Sequence, residues 1–534
     1  SISTNENGHL KYLSGNNFVN SFYFSPVTAQ DITSIILSQK NKSGNINSCS
    51  IRIIKKLTNI LSPILASIVN MSLTQGKFPN SLKIARVTPI YKGGDKTDTG
   101  NYRPISVLPL FSKIFEKIVH KQLFRYLNIN SILHENQYGF RANKNTTQAI
   151  LNHLQYLYDN IDSNYIVFSL FLDFRKAFDC VDHLILLSKL KSYGIRGIAN
   201  NWFTSYLSNR KQYVTVNEIQ STMLNISHGV PQGSILGPLL FLIFINDIVN
   251  ASSFFKYTLF ADDSTLSTCI SSNTINELTA SINKELDHVN KWLTANRIGI
   301  NGKKTNYILF SYKRKISLPL IKIGKDKIHE IDSTKFLGVY FDKNLSFKNH
   351  IDSISSKLSR SVGILYRLNH FLPQPVLKTL YFTLFQPFLV YGIEAWYGTD
   401  KNKTDKIFVL QKKAIRAINN LPFNSHTNHH FKTMNILKLE DQYNFQIALY
   451  AFKTFYRNYD QDLFSSIKKF TDVHGHYTRN LNNLVIPRYN RSKTKSSIHF
   501  NCVRIWNSLS PAYRLNVSLP VFKSRLKELY LSSY

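Results

Sequence analysis

Hydrophobic positions along this chain follow two periods. Helical spacing runs over residues 51–73, through Ile54, Leu57, Ile60 or Leu61, Ile64 or Leu65, and Ile68. Pro63 predicts a break or kink there. It runs again over 107–127 through Val107, Leu110, Ile114, Ile118 and Leu123, and from His350 through Ile351, Ile354, Leu358, Val362 and Leu365. Thr274 and Glu277 form a capping-box pattern opening a helix with Ile275, Leu278, Ile282, Leu286, Val289 and Leu293 on one face. Residues 183–206, 236–248 and 405–420 also read as helices, and Pro26 marks a helix start near 25–32. Strand patterns cover 83–91 with a tight turn to 95, then 101–106, 167–172, the pair 210–216 and 222–227, and 307–310. Residues 254–259 and 264–268 flank Phe260-Ala261-Asp262-Asp263, which reads as a β-hairpin with two acids at its tip.

Neighbouring strand side chains alternate faces, so adjacent carboxylates converge only at a turn or around a cation. Two carboxylates about 4 Å apart repel by roughly 4 kcal/mol at an effective dielectric of about 20. A divalent metal removes that cost, and Mg²⁺ favours carboxylates with phosphate oxygens and water. A third acid, Asp173, ends the apolar strand 167–172, where α/β layers collect their ligands. Asp173, Asp262 and Asp263 would then hold two metal ions for in-line phosphoryl transfer. Between them, Gly229-Val230-Pro231-Gln232-Gly233 opens an apolar helix, its glycines allowing close backbone approach. Lys92 and Arg103 lie near the turn of the 83–106 strand pair, a cationic finger able to hold a triphosphate.

Composition narrows the partner. The 534 residues carry 66 Lys+Arg against 32 Asp+Glu, a net charge of +34, which points to a polyanion. Hydrophobic residues at 43% require large cores, so a purely basic packaging protein is excluded. No apolar run is long enough to span a bilayer, so no membrane partner is expected. Cys49, Cys180, Cys269 and Cys502 are scattered without a CxxC pair, which argues against disulfides and zinc. His426, His429, His430, His474 and His476 lack cysteine partners at zinc spacing. In the tail, Arg479, Arg488, Arg491, Lys493, Lys495 and Arg504 alternate with Tyr477, Tyr489, Phe500 and Trp506, a mixture suited to RNA or single strands.

With Asp173, the 229–238 loop and the Asp262-Asp263 tip in this order, the chain resembles reverse transcriptases of non-LTR (LINE-type, jockey-like) retrotransposons over about residues 20 to 534. The resemblance implies an α+β right-hand polymerase with fingers, palm and thumb and a helical basic C-terminal extension. The expected divisions are an N-terminal helical extension (1–80), fingers and palm (81–345), thumb (346–425) and a nucleic-acid-binding tail (426–534). It implies two Mg²⁺, or Mn²⁺ in their place, on the three acids and the Phe174 carbonyl. Lys92, Arg103, Phe178 and Gln232 would bind the incoming nucleotide, Phe178 as a steric gate against a ribose 2′-OH. Lys304 would protonate the pyrophosphate leaving group. Gln137, Phe140 and Arg141 resemble a block along the template, Phe140 either stacking on a base or joining the core. Phe336, Leu337 and Gly338 resemble the support of the primer end.

The implied reaction copies an RNA template into DNA from deoxynucleoside triphosphates, primed on a nicked DNA target, in the nucleus and cytoplasm. Alternatives are a silent or domesticated relic that only binds nucleic acid, and a group II intron-type maturase. The chain starts at Ser1, and the expectation is a piece of a longer protein whose endonuclease lies upstream.

Overall fold

The computed structural model describes residues 8–13, 20–40, 50–270, 275–312, 318–457, 459–465, 467–470, 483–514 and 517–534. Thr274 of the capping-box pattern, Cys49, His474, His476, Tyr477 and Arg479 lie outside the described residues. The strands are β1 (Ile84–Tyr91), β2 (Tyr102–Val107), β3 (Ile166–Leu172), β4 (Arg210–Val216), β5 (Ile219–Gln220), β6 (Leu224–Ile226), β7 (Lys256–Phe260), β8 (Asp263–Ile270), β9 (Asn306–Phe310), β10 (Ile321–Ile323), β11 (Asp326–Glu330), β12 (Ser333–Phe336) and β13 (Val339–Asp342). The first ten helices are α1 (Ala29–Ser38), α2 (Ile51–Lys56), α3 (Thr58–Gln75), α4 (Leu110–Ile129), α5 (Thr146–Asp162), α6 (His183–Ser192), α7 (Gly197–Leu207), α8 (Leu236–Ile245), α9 (Ile275–Ala295) and α10 (Lys348–Leu368).

A six-stranded sheet in the order β10-β11-β9-β3-β8-β7 carries the acids. β3 is central, antiparallel to both β8 and β9. Its two faces belong to different cores. Ile166, Phe168, Leu170 and Leu172 join the core built with α4, α8 and α9. Val167 joins the other, with α5, Ile308, Phe310, Phe336 and Phe341. Burial on both faces is why β3 reads as an unbroken apolar run rather than an alternation. A second sheet, β2-β1-β4-β5 with β6 on β4, lies alongside in the N-terminal half.

Several sequence expectations shift in detail. The 51–73 helix breaks at Leu57, not at Pro63, which α3 absorbs in its second turn. The 183–206 helix is two helices, because Gly194 and Gly197 take φ of 90° and 54° between them. Residue 107 closes β2, and the following helix starts only at Leu110.

The second core continues without interruption into the tail. Leu358, Ile407 and Ala448 share it with Val503, Trp506, Phe522 and Leu526, so no core boundary falls at 425/426. Asp162, ending α5, accepts hydrogen bonds from the Asn490 and Arg491 amides (2.9 and 3.0 Å) and from the Thr494 hydroxyl (2.6 Å). Gln155 donates to the Tyr489 hydroxyl at 2.9 Å. Trp506 is buried, and Tyr489 is turned onto α5. The alternation of basic and aromatic residues in the tail is therefore a packing pattern for those two rings, not an open stacking platform. No helix among the described residues is long and apolar enough to cross a membrane.

This second core is also acid-sensitive. His350 is buried against Trp396, and burial, then the charges of Lys357 and Lys335, push its pKa down to about 4. The unfolded chain protonates the imidazole near its ordinary value of 6.5, so stability is lost as pH falls from about 6.5 toward 4. The loss reaches about 3 kcal/mol once both states are protonated, from a shift of about two-and-a-half units at about 1.4 kcal/mol each. Urea midpoints should drop between pH 7 and pH 5, and His350→Leu should flatten that dependence; an unchanged slope in the variant would remove His350 as its source.

Candidate active site

β3 and β8 pair in register from Ile166↔Ile270 to Leu172↔Ser264. Carried one step further, that register sets Asp173 beside Asp263. β7 and β8 close the hairpin at Phe260↔Asp263, leaving Ala261 and Asp262 as its two-residue tip. Ala261 takes φ of 54°, a left-handed conformation that an alanine enters only under constraint. Asp262 and Asp263 remain open to solvent on one side and are crowded by protein on the others. That crowding, then the charges of Asp262 and Asp173, push the Asp263 carboxyl up to about 6. Burial also raises Asp262; its own backbone N–H opposes this, the Asp173 charge adds to it, and Arg103 and Lys92 pull it back. The three acids thus come from two distant segments and feel each other's charge.

Asp173 is held by its backbone. The Asn301 amide donates to the Asp173 carbonyl (2.7 Å), and the Asp173 amide donates to the Thr305 hydroxyl (3.2 Å). Phe174 bridges Ile300, but the bonds of that bridge use the Asp173 and Gly299 carbonyls and not its own. Lys304 stands exposed on the same Asn301–Thr305 turn, adjacent to the residue that anchors Asp173.

The constraint on Ala261 comes from the block around Gln137. The Gln137 side-chain carbonyl accepts from the Ala261 amide (3.0 Å) and from the Gly139 amide (2.9 Å). Tyr138 donates its amide to the Leu259 carbonyl (2.7 Å), and Leu259 donates to the Asn136 carbonyl (2.9 Å). Gly139 lies flat on the hairpin: a Cβ there would sit 2.5 Å from the Ala261 nitrogen. Gln137 is buried, its side chain spent on the hairpin tip. Arg141 is likewise turned inward, donating to the His134 carbonyl at 2.8 Å. Phe140 remains exposed, so of its two readings the core is ruled out.

The glycine-rich loop is fixed from three sides. Ser106 at the end of β2 donates its amide to the Gln232 carbonyl (2.7 Å). The Gln232 side chain donates to Asp179 (2.8 Å). Gly229 lies against the Asp179 backbone, where a Cβ would meet Asp179 at 2.8 Å. Phe178 stacks on Phe241 at 4.5 Å and meets Phe140 edge-on at 6.4 Å. Lys92 and Arg103 are exposed at the open end of β1 and β2, on one face of that pair. Phe336 is buried; half-buried Leu337 and exposed Gly338, at φ of 45° and 87°, form the turn of the β12-β13 hairpin.

Sequence reading missed Glu116. Its fully buried carboxylate accepts from the Ile235 and Leu236 amides (2.6 and 3.3 Å), capping α8, and from the Ser112 hydroxyl (2.9 Å). Its signal was present: Glu116 falls on the same helical stripe as Ser112, Val119 and Leu123, a charge on a face that is otherwise buried.

Metal fit follows from the donor set. Three hard oxygen donors, two of them with carboxyl pKa values raised by crowding and by neighbouring acids, suit a hard divalent cation, which would relieve that repulsion. Among the described residues, no three acidic, histidine or cysteine side chains are already drawn together as a finished metal cage.

This donor set suits metal-assisted phosphoryl transfer, and the proteins similar to the chain include polymerases. Residues 92–341 match the family described as Reverse transcriptase (RNA-dependent DNA polymerase). Over most of its length the chain is similar to RNA-directed DNA polymerases of non-LTR retrotransposons. It is 29% identical over 412 residues to the probable RNA-directed DNA polymerase from transposon X-element of Drosophila melanogaster, covering 74% of this chain and 44% of that protein. Over 442 residues it is 28% identical to the polymerase from mobile element jockey of the same species, covering 80% and 47%. Transposon BS gives 27% over 447 residues, 80% and 48%. The chain spans about half the length of the curated relatives it matches.

Proposed function

We propose that this chain catalyses template-directed addition of deoxynucleotides to a primer 3′-OH, with RNA as template and a nicked chromosomal target as primer. One observation carries the reading: the β3-β8 register sets Asp173 beside the Asp262-Asp263 tip at the open end of a sheet. Asp173, Asp262 and Asp263, with the Phe174 carbonyl, would hold two Mg²⁺ ions, or Mn²⁺ in their place. When bound, these supply charge neutralisation at the attacking and leaving oxygens.

The remaining roles fall to the chain itself. Lys92 and Arg103 grip the triphosphate, consistent with their pull on Asp262. Gln232, tied to Asp179, holds one wall of the nucleotide pocket. Phe178, backed by Phe241, stands under the sugar as the gate. Lys304 delivers a proton to the leaving pyrophosphate. The exposed Phe140 stacks on a template base, and Leu337 and Gly338 support the primer strand through their turn. β1, β2 and β4 form the fingers, the six-stranded sheet the palm, and α10 onward the thumb.

Primer extension on poly(rA)/oligo(dT) with Mg²⁺ tests the assignment. The unsubstituted chain should extend, and Asp262→Asn should lose at least about a thousandfold, because a carboxylate supporting metal-borne charge is worth several kcal/mol. RNA binding without extension would instead mark a nucleic-acid-binding relic. Phe178→Ala should raise ribonucleotide incorporation about tenfold or more relative to deoxynucleotides, the range expected when a wall of a pocket is removed. Unchanged sugar discrimination would take Phe178 out of the gate.

A further inference from the structure

Two apolar stripes run along α2 and α3, and the fold uses one. Ile54, Leu65, Val69 and Leu73 are buried. That side is pinned by the Trp202 indole donating to Ser72 (3.1 Å), by Thr33 donating to Ser62 (2.9 Å), and by Asn70 bonding both backbone groups of Val27. The opposite side presents Ile53, Leu57, Ile60, Ile64, Ile68 and Met71, each 42–65% exposed. Their spacing of four, three, four, four and three is that of a helix-pairing seam. A helix apolar on all sides is normally covered on all sides. In addition, the eighteen residues of α3 contain no Lys, Arg, Asp or Glu, within a chain of net charge +34.

We propose that this face is the dimer interface of the protein, with α3 of one copy packed antiparallel on α3 of a second. Three observations select a second copy as the occupant. Charge is the first: two copies at +34 repel over most of their surface, and α3 is a place where they meet without opposing cations. The same argument excludes a nucleic acid strand, which needs the cations that α3 lacks. Area is the second. The stripe exposes roughly 500–600 Å² of apolar surface, at the upper end for a monomer. Two such stripes face to face bury roughly 1,000–1,200 Å² in all, enough to clear the lower bound of a specific interface.

Direction is the third. Arg52, Lys55 and Lys56 cluster at the N-terminal end of the stripe. A parallel pair would stack both clusters together, whereas an antiparallel pair separates them by the length of α3 and places each near the negative end of the other α3. A twofold axis then passes near residue 62, and Ile60 of each copy faces Ile64 of the other.

Sedimentation or light scattering of the nuclease-treated 534-residue chain at micromolar concentration tests this. A dimer that persists in high salt is expected, because apolar side chains supply most of the contact. Ile60→Lys/Ile64→Lys should give a monomer with an unchanged circular dichroism spectrum, both side chains being exposed in the single copy. Under mild oxidation Ile60→Cys/Ile64→Cys should yield a covalent dimer, and Ile53→Cys alone should not, since it faces position 71. A monomer at micromolar concentration, or a dimer indifferent to the paired lysines, would overturn the proposal.

Discussion

Gly139→Ala is expected to cut polymerisation by about a hundredfold or more while leaving every acid in place. A Cβ at 139 would stand 2.5 Å from the Ala261 nitrogen and 3.0 Å from the Phe260 carbonyl carbon. Both are backbone atoms, so no side chain can swing aside; the hairpin tip must move. A displacement of about 1 Å at a reacting centre costs on the order of a hundredfold. Gln137→Ala should act in the same direction by another route. It removes the one acceptor shared by the Ala261 and Gly139 amides, at a cost of about 1–3 kcal/mol per stranded buried group. Both variants should bind Mn²⁺ more weakly by calorimetry, and both should show faster hydrogen exchange at the Ala261 amide. Neither readout would shift if Gln137 and Gly139 served only a template. A Gly139→Ala enzyme with the parent rate and metal affinity would show that the clamp does not set the acids.

Glu116→Ala is expected to destabilise the fold by about 3–5 kcal/mol, the usual result of removing one member of a buried charged pair. The buried Arg210 guanidinium lies within electrostatic reach of Glu116 and hydrogen-bonds the Tyr206 carbonyl, while its Nε and Nη2 find no partner among the described residues. Without the carboxylate, that charge loses its counterion, and the first amides of α8 lose their acceptor. Burial pushes the Glu116 pKa up, Arg210 opposes it, and the Ile235 amide and Ser112 hydroxyl oppose it further. Glu116→Gln keeps the shape and an acceptor oxygen, so it should cost less than the alanine change. Because α8 follows directly on the Gln232-Gly233 loop, KM for the incoming nucleotide should rise in both variants, in the order of their destabilisation. Chemical denaturation and steady-state kinetics check the two parts. An alanine variant as stable as the parent would mean that Glu116 and Arg210 are not energetically linked.

Much of the site was legible because it is written in local patterns. The apolar strand ending at Asp173, the hairpin with Asp262 and Asp263 at its turn, and the Gly-rich entry to α8 each need only a few neighbouring residues to be recognised. The roles of Gln137 and Glu116 were not legible. Their partners, Ala261 and Ile235, lie 124 and 119 residues away, and a single chain shows no spacing for such a contact. Gln137 therefore read as a template residue, and Glu116 passed as one more charge on an amphipathic helix. Two aromatic residues of the tail pose a related problem. Tyr489 and Trp506 have the composition of a stacking platform, and only their packing against α5 and the second core shows which way they face.

The sequence alone determined which segments are helix or strand, which acids stand at strand ends, and that α3 is apolar on more than one side. These follow from the 3.6- and 2-residue repeats and from turn chemistry, which act between near neighbours. Tertiary structure alone decided which α3 stripe is buried, where the 183–206 helix breaks, and what holds the Asp262-Asp263 tip. Those outcomes depend on contacts between segments far apart in the chain, where burial and hydrogen bonding choose among local patterns of nearly equal propensity.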